Sequence, residues 1–297
     1  MVDGQIDGHV AMVGNAHLAL FSFLRNIMKT LRFCAGFLSF SVLFAAALSS
    51  DVSAAICSNV LNLPASAARE TVVFTIDQTT PAWQPATASF LARTKQSLKA
   101  QRVRYVFVTF AALSRDEAPR VVFDFVHEAD IPRDQSYDLA VNRLRAYDTC
   151  RRNQMEAAWQ QITNAVAKLK PEGTGEYSEL PYAFRWLIST FAVRTPTTIV
   201  ALSDGLIHST DGWSFYSRGN PRVIDAAKEL RRLQSSTLGG VVEGQQLKMV
   251  HLSGVGLRSS DSKGFSTPAQ QASYESFWKL AFERWGAGEV RVGLTLH

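Results

Sequence analysis

Stretches of strand-like patterning alternate along the chain with stretches of helical spacing. Val72 to Ile76 is an apolar run of strand length interrupted only by Thr75, the pattern of a strand covered on both faces. Pro81 and Pro85 end it, and from Ala86 to Ala100 the residues Phe90, Leu91, Thr94 and Leu98 recur at helical spacing, with Arg93, Lys95 and Lys99 left to solvent. Val103 to Phe110 and Val121 to Val126 read as two further strands. The polar stretch from Ser114 to Pro119 between them is too short for a crossover helix, so they pair as an antiparallel hairpin.

Between Tyr137 and Lys170 apolar groups keep three-four spacing with one lapse at Arg151, which predicts one long helix or two with a break near Asp148 to Asn153. A helix over Glu179 to Phe191 follows, then a strand from Thr197 that ends in Ser203, Asp204 and Gly205. Pro221 opens a further helix carrying Val223, Ile224, Ala227, Leu230 and Leu233. Leu247 to Val255 is a strand, Tyr274 to Trp285 a helix stopped at Gly286, and Glu289 to Leu296 a closing strand. One hairpin among helix-separated strands predicts an α/β fold. Its core is a doubly wound, mostly parallel six-stranded sheet with one antiparallel edge strand and helices on both faces.

The amino terminus adds a compartment to this picture. Arg25, Lys29 and Arg32 precede an apolar run from Phe33 to Leu48, and the small residues Ser53, Ala54 and Ala55 follow. That order is the pattern of a signal peptide over residues 28–54, with Met28 as its natural start and residues 1–27 as either an over-long reading of the gene or a real extension. The run falls just under the roughly 18 to 20 apolar residues that span a bilayer, so an uncleaved membrane anchor is the competing reading. Residues 55–69 form an amino-terminal segment ahead of the domain at 70–297. Export places the chain in a periplasm or outside the cell, where disulfides persist. Cys34 falls within the signal, leaving Cys57 and Cys150 as a predicted disulfide; two buried free thiols are the alternative.

Two strand ends carry the candidate chemistry. Asp77 closes the first strand and is followed by Thr79, and Asp204 closes the fourth; ligands of open α/β sheets collect at such carboxyl ends. The run Asp77-Gln78-Thr79-Thr80-Pro81, the hydroxyl of Ser178 before a helix, and Leu202-Ser203-Asp204-Gly205 together resemble the von Willebrand factor A-like domains over residues 70–297. Members of that family that bind a divalent cation carry Asp-x-Ser-x-Ser, a middle Thr and a later Asp. The resemblance therefore implies Mg2+ or Mn2+ at Asp77, Thr79, Ser178 and Asp204, and a protein partner offering an acidic side chain. Pro81 departs from the pattern, since it has no oxygen to place at the second hydroxyl position. A metal-free scaffold is thus a second reading.

Composition trims the alternatives. The formal net charge is +5, but basic residues are scattered or paired, as at Arg151-Arg152, without the aromatic-interleaved stripe that nucleic-acid binding needs. Membrane contact follows only if the amino-terminal segment stays uncleaved. An aspartyl phosphatase would need a second carboxylate where Thr79 stands. The surroundings of Ser253 lack both glycines of a hydrolase elbow, which leaves a hydrolase as the weakest reading. His208 reads as a loop histidine. Trp83, Trp213, Phe215 and Tyr216 follow the first and fourth strands, as a rim for a partner or as packing over the sheet end.

Overall fold

Strand β1 (Glu70–Asp77) lies inside a six-stranded sheet with β2 (Val103–Phe110), β3 (Arg120–His127), β4 (Thr197–Leu202), β5 (Leu247–Ser253) and β6 (Glu289–Gly293). The order across the sheet is β3-β2-β1-β4-β5-β6. Every neighbouring pair is parallel except β2 and β3, which run antiparallel at one edge. This computed structural model describes residues 56–64, 67–110, 119–131, 136, 139–171, 177–241, 244–258 and 264–295. The signal-like stretch, Cys34, most of the β2–β3 connection, Thr174 and Leu296 lie outside the described residues.

Alternation along β1 and β4 sorts the core into two layers. Val73, Ile199 and Ala201 face one side, packed with α3 (Leu180–Phe191) and α5 (Pro268–Arg284) through Phe184, Phe277, Trp278 and Phe282. Val72, Phe74, Ile76, Val200 and Leu202 face the other, against Phe90 of α1 (Gln84–Ser97) and Ile162 of α2 (Val141–Ala167). Because both faces are covered, the central strands read in sequence as nearly continuous apolar runs.

Helix α2 is one unbroken helix of 27 residues, so of the two readings the single long helix holds, with no break near Asp148 to Asn153. The lapse in its spacing is a buried cation: Arg151 pairs with Asp130 and lies over the Tyr147 ring, 5.4 Å from its centroid. Cys150, next to it, is joined to Cys57 with the sulfurs 2.04 Å apart, and Leu61 and Tyr147 pack around the bridge.

Two helix starts differ from the sequence reading. Pro221 opens no helix but pairs in a two-residue ribbon with Tyr216, and Val223 is exposed. The helix α4 (Ala226–Ser235) begins after Asp225, whose side chain accepts from the Lys228 amide at 3.0 Å. Helix α5 begins six residues before Tyr274, at Pro268. There Thr267 and Gln270 form a capping box that satisfies two amino-terminal donors.

Candidate functional site

In the order β3-β2-β1-β4-β5-β6 the connections diverge between β1 and β4, so the crevice at their carboxyl ends is the place where such sheets hold ligands. Asp77 ends β1 there, fully buried. The turn after β1 folds Thr79 back so that its amide donates to Asp77 Oδ1 at 2.9 Å and its hydroxyl to the same oxygen at 2.5 Å. Oδ2 accepts from Ser203 Oγ at 2.9 Å and, more distantly, from Ser178 Oγ at 3.5 Å.

Ser178 reaches this point because the chain after β4 returns to it. Its amide donates to the His208 carbonyl at 2.9 Å, and the His208 amide donates back at 3.2 Å. Asp204 follows β4 and is 7% exposed. Its Oδ1 accepts from the Leu206 amide at 2.9 Å, and its own amide donates to Thr80 Oγ1 at 3.0 Å. Thr80 therefore stitches the turn after β1 to the loop after β4.

Gly205 lets that loop turn at φ +70°, where a side chain would be strained, and a Cβ would stand 2.9 Å from Trp278 Nε1. The same indole nitrogen donates to the Gly205 carbonyl at 2.8 Å, which locks the loop onto α5.

Burial pushes the Asp77 carboxyl above its ordinary range, opposed by the hydrogen bonds from Thr79, Ser203 and Thr80. Asp204 is raised further, by burial first and then by the charge of Asp77 beside it. Among the described residues neither carboxylate has an ion-pair partner, and Asp204 Oδ2 receives no hydrogen bond. Two acidic groups thus share a water-poor crevice in which ionising both is unfavourable.

No protein-family model and no curated protein matches this chain. Its chemistry is therefore read from the crevice itself. The four residues singled out in sequence converge there: Asp77, Thr79 and Ser178 by direct hydrogen bonds, and Asp204 by its charge coupling to Asp77. Pro81 contributes no oxygen, and Thr80 is engaged by the Asp204 amide. Ser203 belongs to the cluster as well; its place directly before Asp204 was the only signal of it in the sequence.

The donors are all oxygen, the type a hard divalent cation takes. The residues present match such an ion in the chemistry of their donors. Among the described residues no group of three or more His, Cys, Asp and Glu side chains gathers to hold a metal. A site here would depend on hydroxyls.

The aromatic surroundings divide. Trp213 and Phe215 are buried against Phe277, so they pack over the sheet end instead of forming a rim. Trp83 meets Phe265 edge to face at 5.1 Å. His208 is sandwiched, with Tyr177 stacked flat on it at 4.7 Å and Tyr216 edge-on at 5.5 Å. Tyr177 is half exposed and was not foreseen; a single tyrosine outside any periodic stretch carries no signal in sequence. Ser253 is buried and donates to the Ala201 carbonyl at 3.1 Å, so its hydroxyl serves the sheet.

Proposed function

We propose that this is a von Willebrand factor A-like domain that binds another protein through a divalent cation at the ends of β1 and β4. The observation that carries the reading is the convergence of Thr79, Ser178 and Ser203 on the Asp77 carboxylate, with Asp204 adjacent. Asp77, Thr79, Ser178 and Asp204 would hold Mg2+ or Mn2+. The ion would supply an electrophilic position for a partner's carboxylate, and the chain's own part is to orient the hydroxyls and keep water out. The flat Tyr177–His208 stack beside the crevice gives a partner a rigid aromatic surface.

Export is part of the proposal. It rests on the signal-like residues 28–54 and on the Cys57–Cys150 bridge, which an oxidising compartment would preserve. Among the described residues no helix is long and apolar enough to cross a membrane.

Immobilised domain panned against displayed acidic peptides tests the reading. Peptides should be retained in Mg2+, released by chelator and not retained by Asp77→Ala. Retention that ignores both chelator and substitution would remove the cation from the account. The metal-free scaffold is favoured by Pro81 and by the hydrogen bonds that already occupy Asp77, and it predicts no cation-dependent retention at all.

A further inference from the structure

On the α1 side of the sheet, beyond β4, a second feature lies away from the strand-end crevice. A cavity of about 500 Å³ opens between α1 and the strands β5 and β6, with Ser89, Arg93, Gln96, His251, Arg291 and Thr295 among its walls. Volumes of this order hold small organic molecules. Two guanidiniums and an imidazole line it, and none of its lining residues is acidic.

The arrangement of Arg93 is specific. Its Nη2 lies 2.9 Å from His251 Nε2 and 3.7 Å from Met249 Sδ, and its Nη1 donates to Gln96 Oε1 at 3.1 Å. Met249 Sδ also touches His251 Nε2; a guanidinium can only donate, so towards Arg93 that nitrogen is the acceptor and the ring proton sits on Nδ1. Burial and the charge of Arg93 pull the His251 pKa down to about 4, consistent with a neutral ring. His251 therefore holds Arg93 in place without cancelling its charge.

What is missing is an acceptor. Arg93 has no carboxylate partner among the described residues, and its buried Nε has no hydrogen-bond partner. His251 is 1% exposed, and its Nδ1 is likewise unpartnered. Buried donors without acceptors are costly and uncommon, and they mark places where an unseen acceptor belongs. Arg291 adds the second cation to the cavity wall; its Nε donates to Glu289 Oε1 at 2.7 Å on the same strand, an exposed pair that does not involve its Nη groups.

We propose that this cavity binds a small organic anion, a carboxylate or a phosphate monoester, gripped between Arg93 and Arg291 with His251 as the positioning residue behind Arg93. Planar oxyanions and phosphates both match the paired donors of a guanidinium.

Calorimetric titration of the full chain with succinate and with inorganic phosphate, at ionic strength held constant with sodium chloride, tests the site. Saturable binding of at least one anion is expected, and the tighter of the two names the class of ligand. Binding should weaken about tenfold or more in Arg93→Gln and in Arg291→Gln, and stay unchanged in Asp204→Asn, which separates this site from the cation crevice. Arg291 is exposed on an edge strand, so Arg291→Gln keeps the test intact should Arg93→Gln misfold. Heats no larger than the chloride control for both anions, or equal affinity in the wild type and both arginine variants, would overturn the proposal.

Discussion

At the scale of single residues, the crevice holds a stored electrostatic conflict. Asp77 and Asp204 are both raised, so between their unfolded values near 3.8 and their folded values the native chain binds more protons than the unfolded one. The contribution of these two groups to stability is greatest at low pH and is lost as pH rises through the folded values. Removing one charge removes the conflict. In chelator, Asp204→Asn should be more stable to urea than the wild type, by about 1 to 3 kcal/mol, and the gap should widen as pH rises above the unfolded value of 3.8. With Mg2+ present the order should reverse. Urea unfolding in both buffers measures it, and a variant less stable at every pH would show that Asp204 is simply a loop cap. Gly205 is fixed by its left-handed backbone and by Trp278; Gly205→Ala should cost about 2 kcal/mol or more in the same assay.

Elements were legible in sequence where period and punctuation agreed. The six strands, the β2–β3 hairpin and the doubly wound order followed from apolar runs and connection lengths. The failures have physical causes. Arg151 left one long helix and a broken one both open, because a polar residue on an apolar stripe carries no sign of a partner 21 residues away in Asp130. Pro221 read as a helix start because Pro is common there, yet Asp225 held the true capping side chain. Within the site, Asp77 and Asp204 were visible through their strand-end positions, and Thr79 and Ser178 through the resemblance of their surroundings to the family's motif. The role of Ser203 depends on side-chain direction after β4, which a residue pattern does not state. The element most dependent on a covalent link is the amino-terminal turn Cys57–Leu61, tied to α2 across 93 residues. Cys150→Ser should lower stability by about 2 to 4 kcal/mol. Equal unfolding midpoints for the wild type and the variant would show the bridge to be dispensable.

For the whole molecule, the divergence of chain connections between β1 and β4 gathers three loops at one end: the turn after β1, the segment before α3 and the loop after β4. The apolar sheet lies behind them, and the crevice they enclose holds the two raised carboxyls. The arginine-lined cavity beside β5 and β6 lies on a different part of the sheet, so the two proposed sites are separable by substitution. The central claim, a divalent cation at Asp77 and Asp204, is tested most directly by electron paramagnetic resonance of Mn2+ titrated into the purified chain. One bound Mn2+ per chain is predicted, displaced by Mg2+ and absent in Asp77→Ala. A spectrum of free aqueous Mn2+ throughout the titration, up to roughly millimolar protein and ion, would contradict it.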